Sequence, residues 1–161
     1  MGEILGWGGK DARLGADDVR AALAEIITHF GPARRILAVP PDYSRYHSYA
    51  GAITGMARDL VGEALTDVLP ALGTHRPMTP REREIMFPGV PDSLFRVHDW
   101  RNDLVTLGEV PREFIREQSE GALDWPWPAQ VNRLVAEGEH DMILSIGQVV
   151  PHEVIGMANH A

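Results

Sequence analysis

Two histidines, His75 and His152, are the residues of this 161-residue chain whose type and position best suit acid–base chemistry. Each follows an apolar stretch that predicts a buried strand, and each adjoins a proline within one or two residues. Histidine has an unperturbed pKa of about 6.5, so its ring can take up and release a proton near neutral pH. Either residue alone fits a structural role. The pair, at the ends of different strands of one sheet, favours a functional one.

Other polar residues also lie where predicted strands end. Pro41-Asp42-Tyr43-Ser44-Arg45 follows the first strand, Gly73-Thr74-His75-Arg76-Pro77 the second, and Gln148-Val149-Val150-Pro151-His152 the last. Because ligands of open parallel α/β sheets bind beyond the carboxyl ends of the strands, we expect these segments to converge on one crevice. Asp42 and Ser44 suit turn or cap positions equally well.

Four other histidines are expected to have structural or surface positions. His98 and Asp99 are expected to form a structural hydrogen-bonded pair. His29, His47 and His140 are expected on the surface.

The elements that position these residues alternate between helix and strand. Apolar periodicity and turn residues predict helices over 17–30, 50–63, from Thr79 to near Pro88, and 131–138, with strands over 36–39, 68–72, 95–98, 104–107 and 142–147. The short link between the third and fourth strands predicts a hairpin. The predicted fold is α/β, a three-layer Rossmann-like domain with a mostly parallel sheet and one antiparallel hairpin, occupying residues 1–161 as a single domain.

Composition excludes several classes of function. The net charge of −8 is spread along the chain, and the 15 basic residues form no cluster that could bind nucleic acid. No apolar run approaches the roughly 20 residues that span a membrane, and the N-terminus does not resemble a signal peptide. Without cysteine there is neither a disulfide framework nor a thiolate metal site. We therefore expect a cytoplasmic protein.

The segments at the strand ends resemble those of the nickel-dependent lactate racemase family. Asp42-Tyr43-Ser44-Arg45 is similar to the family's Asp-x-Thr/Ser-Arg segment, and Ala71-Leu72-Gly73-Thr74-His75-Arg76 to its Ala-Thr-Gly-Thr-His-Arg segment. The run from Val131 to Glu137 and the Pro151-His152 ending also fit. The resemblance covers most of the chain from Asp42 onward.

This resemblance implies a racemase or epimerase of small 2-hydroxy acids. One histidine would take the hydroxyl proton while a hydride passes to a nickel-pincer nucleotide, and the second would assist on the other face of the planar 2-oxo acid. By position the two are His75 and His152. The resemblance places Arg45 near the substrate's oxygens and gives Asp42 a role in orienting the cofactor or neighbouring side chains. Thr74 and Arg76 are expected to contact the cofactor because they flank His75. No metal ligand is assigned within the chain.

The resemblance also implies that part of the site lies beyond Ala161. In the family a glycine-rich stretch leads to the lysine that carries the cofactor, whereas this chain has Gly156-Met157-Ala158-Asn159-His160-Ala161, and the lysine would be the next residue. The chain is therefore expected to be the N-terminal domain of a longer two-domain protein, truncated at Ala161, with the C-terminal domain of that protein as its partner. We expect no activity from it alone. The altered stretch makes another 2-hydroxy acid at least as good a candidate as lactate.

Two alternatives remain open. A divalent-metal hydrolase could use His75, His98, His152 or His160 with Asp42 or Asp99, since imidazole and carboxylate suit zinc or manganese. A non-catalytic nucleotide-binding or assembly module could use the same scaffold, although the sequence has no Gly-x-Gly-x-x-Gly or Walker loop.

Overall fold

A computed structural model describes residues 6–152 and 156–157. The chain forms two compact units: Met1–Val97 together with His140–Ala161, and His98–Glu139. We call the first the sheet unit and the second the ribbon unit, and describe each by itself. The expectation of one domain over 1–161, cut from a longer protein, stays a prediction.

The sheet unit is built on three parallel strands. β1 (Ile36–Val39) lies between β2 (Leu65–Val68) and a later strand over Met142–Ser145. Ile36 is in register with Leu65 on one side and with Met142 on the other. Leu37 and Ala38 are fully buried, as expected of a central strand covered on both faces. The α/β, Rossmann-like prediction is confirmed.

The described residues of the same unit include three α-helices. α1 (Ala16–Phe30) ends at Gly31, whose φ of 84° is the left-handed conformation that glycine adopts at low cost. α2 (Ala50–Val61) follows β1, and α3 (Pro80–Met86) is capped at its start by Thr79, the residue where the sequence predicts a helix to begin. Among the residues that the structure describes, no helix is long and apolar enough to cross a membrane.

The second strand begins and ends earlier than predicted. The expectation was a strand over 68–72, but β2 covers Leu65–Val68, and only Ala71 beyond it makes an isolated parallel bridge, to Pro41. The amides of Leu69 and Ala71 still donate to the carbonyls of Ala38 and Pro40, so the pairing with β1 becomes irregular beyond Val68 rather than ending there. His75 therefore follows a loop rather than a strand end.

The ribbon unit contains the antiparallel pair, but with different partners from those predicted. β3 (Leu104–Val110) pairs with β4 (Trp127–Asn132), α4 (Arg112–Gln118) lies between them in the chain, and α5 (Arg133–Glu137) follows β4. The predicted hairpin of 95–98 with 104–107 is wrong, since Phe95 instead makes a parallel bridge to Val68 within the sheet unit. The predicted aromatic turn at 125–128 is partly strand. The third strand of the parallel sheet is β5 (Met142–Ser145), which begins where predicted and ends two residues earlier.

The expectation that His140 lies on the surface is wrong, because its side chain belongs to a buried ionic cluster. Its side chain is only 1% exposed, and its Nε2 lies 2.9 Å from Oδ2 of Asp67 on β2. The other oxygen, Oδ1, lies 2.8 Å from Nε of Arg96. Arg96 and His140 stand next to the two points where the chain leaves the sheet unit for the ribbon unit and returns. One carboxylate of β2 thus holds both connecting segments, while His29 and His47 are exposed as expected.

Close packing of α2 against the end of α3 generates a first prediction. A Cβ built on Gly51 would lie 1.8 Å from the carbonyl oxygen of Met86, whereas one on Gly55 would meet its nearest atom, the carbonyl oxygen of Pro88, at 3.7 Å. Gly51→Ala should therefore lower the free energy of unfolding by about 3 kcal/mol or more through overpacking. The matched change Gly55→Ala should raise it by ~0.5–1 kcal/mol through helix propensity. Urea denaturation of both variants measures the two effects, and equal stabilities would contradict the packing.

The cluster at Asp67 generates a second prediction, with a pH dependence. Burial raises the pKa of Asp67, but hydrogen bonds from His140 and Thr66 and the charge of Arg96 outweigh it, so the pKa lies below its ordinary value. The stabilisation is therefore present above pH about 3.9, the unfolded value, and is lost as pH falls through the lower folded pKa. Asp67→Asn should cost about 1–3 kcal/mol at pH 7, and the gap to the native chain should narrow below pH 4.

An exposed aspartate supplies the control for this measurement. Asp59 pairs with Arg20 on the surface, with side chains 67% and 44% exposed. Asp59→Asn should change the free energy of unfolding by less than about 0.5 kcal/mol at any pH. If the two variants behaved alike in thermal unfolding between pH 3 and pH 7, the Asp67 cluster would not be a significant source of stability.

Candidate functional site

The first part of the site is the turn that follows β1. Asp42 comes after two prolines and begins a 3₁₀ turn over Tyr43–Ser48. Its Oδ1 accepts hydrogen bonds from both the backbone amide of Ser44, at 3.1 Å, and the Ser44 hydroxyl. The carboxylate is 10% exposed. Asp42 thus provides the hydrogen-bond acceptor that the start of this turn needs, and the turn in return holds the Asp42 carboxylate in place.

The second part is the loop that carries His75. The amide of Ala71 donates to the carbonyl of Pro40 at 2.8 Å, which continues the parallel pairing of β2 with β1 past the strand ends. The chain then turns sharply: Gly73 has a φ of 55°, and the amide of His75 donates to Leu72 at 2.9 Å. The two loops are thereby brought together.

Asp42 and His75 meet as a consequence of these loops. Nδ1 of His75 lies 2.7 Å from Oδ2 of Asp42. Burial raises the pKa of Asp42, but hydrogen bonds from Ser44 and His75 outweigh it and keep the pKa below its ordinary value. An ionised carboxylate can only accept, so Nδ1 must carry the proton. In the neutral ring Nε2 is then the basic nitrogen, on a side chain 60% exposed to solvent.

An ion pair that the sequence did not reveal as part of the site lies beside His75. Arg76 donates two hydrogen bonds to Glu82, at 2.6 and 3.0 Å. Glu82 also accepts from the amide of Thr79 as part of the capping box of α3. The Arg76 guanidinium, followed by the Thr79 amide, lowers the pKa of Glu82 to about 2. The capping-box pattern of Thr79 and Glu82 is visible in the sequence, but it indicates a helix start and not that Glu82 pairs with Arg76.

These groups line one cavity. It has a volume of about 280 Å³, and its walls are Asp42, Tyr43, Ser44, His75, Arg76, Met78 and Glu82. The rim thus holds one hydrogen-bonded acid–base pair and one closed ion pair. What the cavity offers a small ligand is a basic imidazole nitrogen held from behind by a carboxylate.

Arg45 lies in a different cavity of the sheet unit. That cavity has a volume of about 330 Å³ and includes Pro41, Ser48, Ser145, Gln148 and Val150 in its walls. It therefore opens at the carboxyl ends of β1 and β5, as predicted for the crevice. Pro41 and Ala71 border it, directly before Asp42 and shortly before His75 in the chain. The structure places Arg45 and His75 on the same edge of the sheet, but not in one cavity.

The other candidates are placed as follows. Thr74 is exposed in the turn before His75. The backbone of His152 lies in a two-residue strand, β6 (Pro151–His152), which pairs with β7 (Gly156–Met157). The side chain of His152, and the whole of His160, fall outside the described residues.

In the ribbon unit, the expected pairing of His98 with Asp99 is not what the hydrogen bonds show. Nδ1 of His98 lies 3.1 Å from Nδ2 of Asn132. Asp99 instead accepts from the amides of Arg101 and Asn102, at 3.0 and 3.1 Å. Across the described residues there is no group of three histidine or carboxylate side chains that could hold a metal ion.

Comparison with protein-family models and with curated protein sequences gives no match. Among solved structures, a protein from Thermotoga maritima is similar over 87% of this chain, with a TM-score of 0.76 and 30% identity. The lactate racemase apoprotein from Thermoanaerobacterium thermosaccharolyticum is similar over 89%, with a TM-score of 0.63 and 22% identity. This chain spans 35% and 34% of their respective lengths. The chain therefore has a lactate-racemase-like fold, corresponding to about a third of each of these proteins.

Proposed function

We propose that this chain is the part of a 2-hydroxyacid racemase or epimerase that supplies its proton-transfer groups. The observation that carries the proposal is the Asp42–His75 pair, 2.7 Å apart at the carboxyl edge of the sheet, in a chain whose fold is lactate-racemase-like. A carboxylate behind an imidazole is the arrangement that enzymes use to fix the tautomer of a general base and to stabilise its charged form.

The reaction would invert one carbon through a planar intermediate. Oxidation of a 2-hydroxy acid removes a proton from the hydroxyl oxygen and a hydride from C2, for which a bound cofactor would have to be the acceptor, and leaves a 2-oxo acid. Return of the hydride to the opposite face, with a proton to the oxygen, gives the other enantiomer. His75 Nε2 would take the hydroxyl proton, while Asp42 stabilises the imidazolium that forms. His152 would serve the other face, and it follows Val150, which lines the Arg45 cavity.

Arg45 would hold the acid's oxygens in that second cavity. Its guanidinium is a planar cation, suited to a carboxylate or to a developing alkoxide. The rest of the cavity is lined by backbone and by apolar or neutral polar side chains, including Pro41, Ser145 and Val150. A small monoanionic substrate fits this combination of one cation and neutral walls.

The nickel-pincer nucleotide implied by the resemblance would supply a hydride acceptor, but the candidate residues do not form a cradle for it. Arg76 is paired with Glu82, and Asp42 with Ser44 and His75, so both use their polar atoms within the chain. Of the three expected cofactor contacts, Asp42, Thr74 and Arg76, only Thr74 keeps an exposed hydroxyl in the turn. We therefore derive no step through the cofactor. Contact of these residues with it stays a prediction, and the anchor and a C-terminal partner domain would lie in the remainder of a longer protein.

Neither alternative function gains a supporting observation. The hydrolase would need several ligands around one metal, and the residues that the structure describes bring no three together. A non-catalytic nucleotide-binding or assembly module would have no use for a buried Asp42 carboxylate that orients the exposed imidazole of His75. Cytoplasmic location remains a proposal that rests on composition alone.

The test is racemisation by the complete, cofactor-loaded polypeptide that contains this chain. Enantiopure 2-hydroxy acids are incubated with it, and loss of optical purity is followed by chiral chromatography. His75→Asn and His152→Asn should each lower kcat by about 10²–10⁴-fold, because each removes a proton-transfer group. The chain of residues 1–161 alone is expected to be inactive.

The exposed His29 on α1 provides the matched control, and His29→Asn should leave kcat unchanged. Unchanged turnover in both His75→Asn and His152→Asn would refute the racemase role. Stoichiometric zinc on the purified chain, lost together with hydrolytic activity in His75→Asn, would favour the hydrolase instead.

A further inference from the structure

The Ser44 side chain has no role in the chemistry proposed so far, yet it makes the closest contact with the Asp42 carboxylate. Its hydroxyl and its backbone amide both donate to the same oxygen, Oδ1. The hydroxyl must be the donor in this contact because an ionised carboxylate offers only acceptors. Two donors on one oxygen fix the rotation of the carboxylate about its last bond.

Fixing Oδ1 determines what the second oxygen can do. With Oδ1 engaged by Ser44, Oδ2 is left to face Nδ1 of His75, at 2.7 Å. Hydrogen bonds from Ser44 also help to hold the pKa of Asp42 below its ordinary value, against the effect of burial. Ser44 thus acts on both the direction and the charge of the group that holds the imidazole.

We propose that Ser44 is a positioning residue that sets the tautomer of His75 through Asp42. The hydroxyl keeps the carboxylate turned so that the proton of the neutral ring stays on Nδ1 and Nε2 remains the base. The proposal deepens the proposed function, on which its catalytic meaning rests, but the tautomer itself is a property of this chain and can be measured without cofactor or substrate.

The chain offers a conservative variant and a matched control. Ser44→Ala removes the hydroxyl and keeps the amide, whereas Ser44→Thr keeps both donors. Ser48 lies at the other end of the same 3₁₀ turn, where its hydroxyl accepts from the amide of Ala50 at 3.2 Å. Ser48→Ala therefore disturbs the turn to a similar extent without touching Asp42.

The experiment is nitrogen-15 NMR of the imidazole side chains in the labelled chain, at a pH where the ring is neutral. The native chain should show His75 with a protonated Nδ1 and an unprotonated Nε2. In Ser44→Ala the ratio of the two tautomers should shift about threefold to tenfold towards the Nε2-protonated form, the effect of losing roughly one ordinary net hydrogen bond. Ser44→Thr and Ser48→Ala should match the native chain.

Three results would overturn the proposal. They are a native tautomer ratio in Ser44→Ala, an equal shift in Ser44→Ala and Ser44→Thr, or a shift of the same size in Ser48→Ala. Amide spectra verify that each variant is folded, and Ser44→Gly replaces Ser44→Ala if the latter is not.

The racemisation assay separates this outcome from that of the proposed function. A shifted tautomer in Ser44→Ala with no racemisation by the complete protein would leave the positioning role intact and remove the racemase. Racemisation by the complete protein, together with an unshifted tautomer in Ser44→Ala, would support the racemase and remove the positioning role of Ser44.

Discussion

A carboxylate removed from water must be surrounded by hydrogen-bond donors. The sheet unit is organised around two buried carboxylates that meet this requirement. Asp42 beyond β1 and Asp67 on β2 are each less than a tenth exposed. Each has a histidine nitrogen on one oxygen and a different donor on the other: Ser44 for Asp42 and Arg96 for Asp67. Because a buried charge without partners is costly, these contacts determine which loops and segments must lie next to the strands.

The two carboxylates differ in what lies on the far side of their histidines. The ring paired with Asp67 is sealed, and its Nδ1 has no hydrogen-bond partner among the described residues, so it can only contribute to stability. The ring paired with Asp42 has a side chain 60% exposed and lines a cavity, where the proposed function would have it exchange a proton with a ligand. The same pair of residue types is thus sealed in one place and accessible in the other. Exposure is what distinguishes the two pairs.

Local signals in the sequence predicted local structure well. The apolar run Ile36–Val39 and the cap at Thr79 define their elements almost to the residue, and Asp42 lies just beyond the first strand as expected, whereas His75 lies on a loop further from the end of β2 than the sequence indicated. Contacts between distant segments were not predictable in the same way. The pairing of β3 with β4 joins residues separated by a helix, and the burial of His140 depends on an aspartate 73 positions away. No periodicity near His140 indicates burial, because its neighbours are polar.

The tie at Asp67 has a consequence for how the chain accommodates the ribbon unit. Arg96 and His140, on the two segments that lead to and from His98–Glu139, converge on one side chain of β2. The two connecting segments therefore lie next to one side chain of the sheet unit, the geometry in which a domain tolerates an inserted segment. The length of the chain between them can accordingly vary without change to the sheet or to the Asp42–His75 pair.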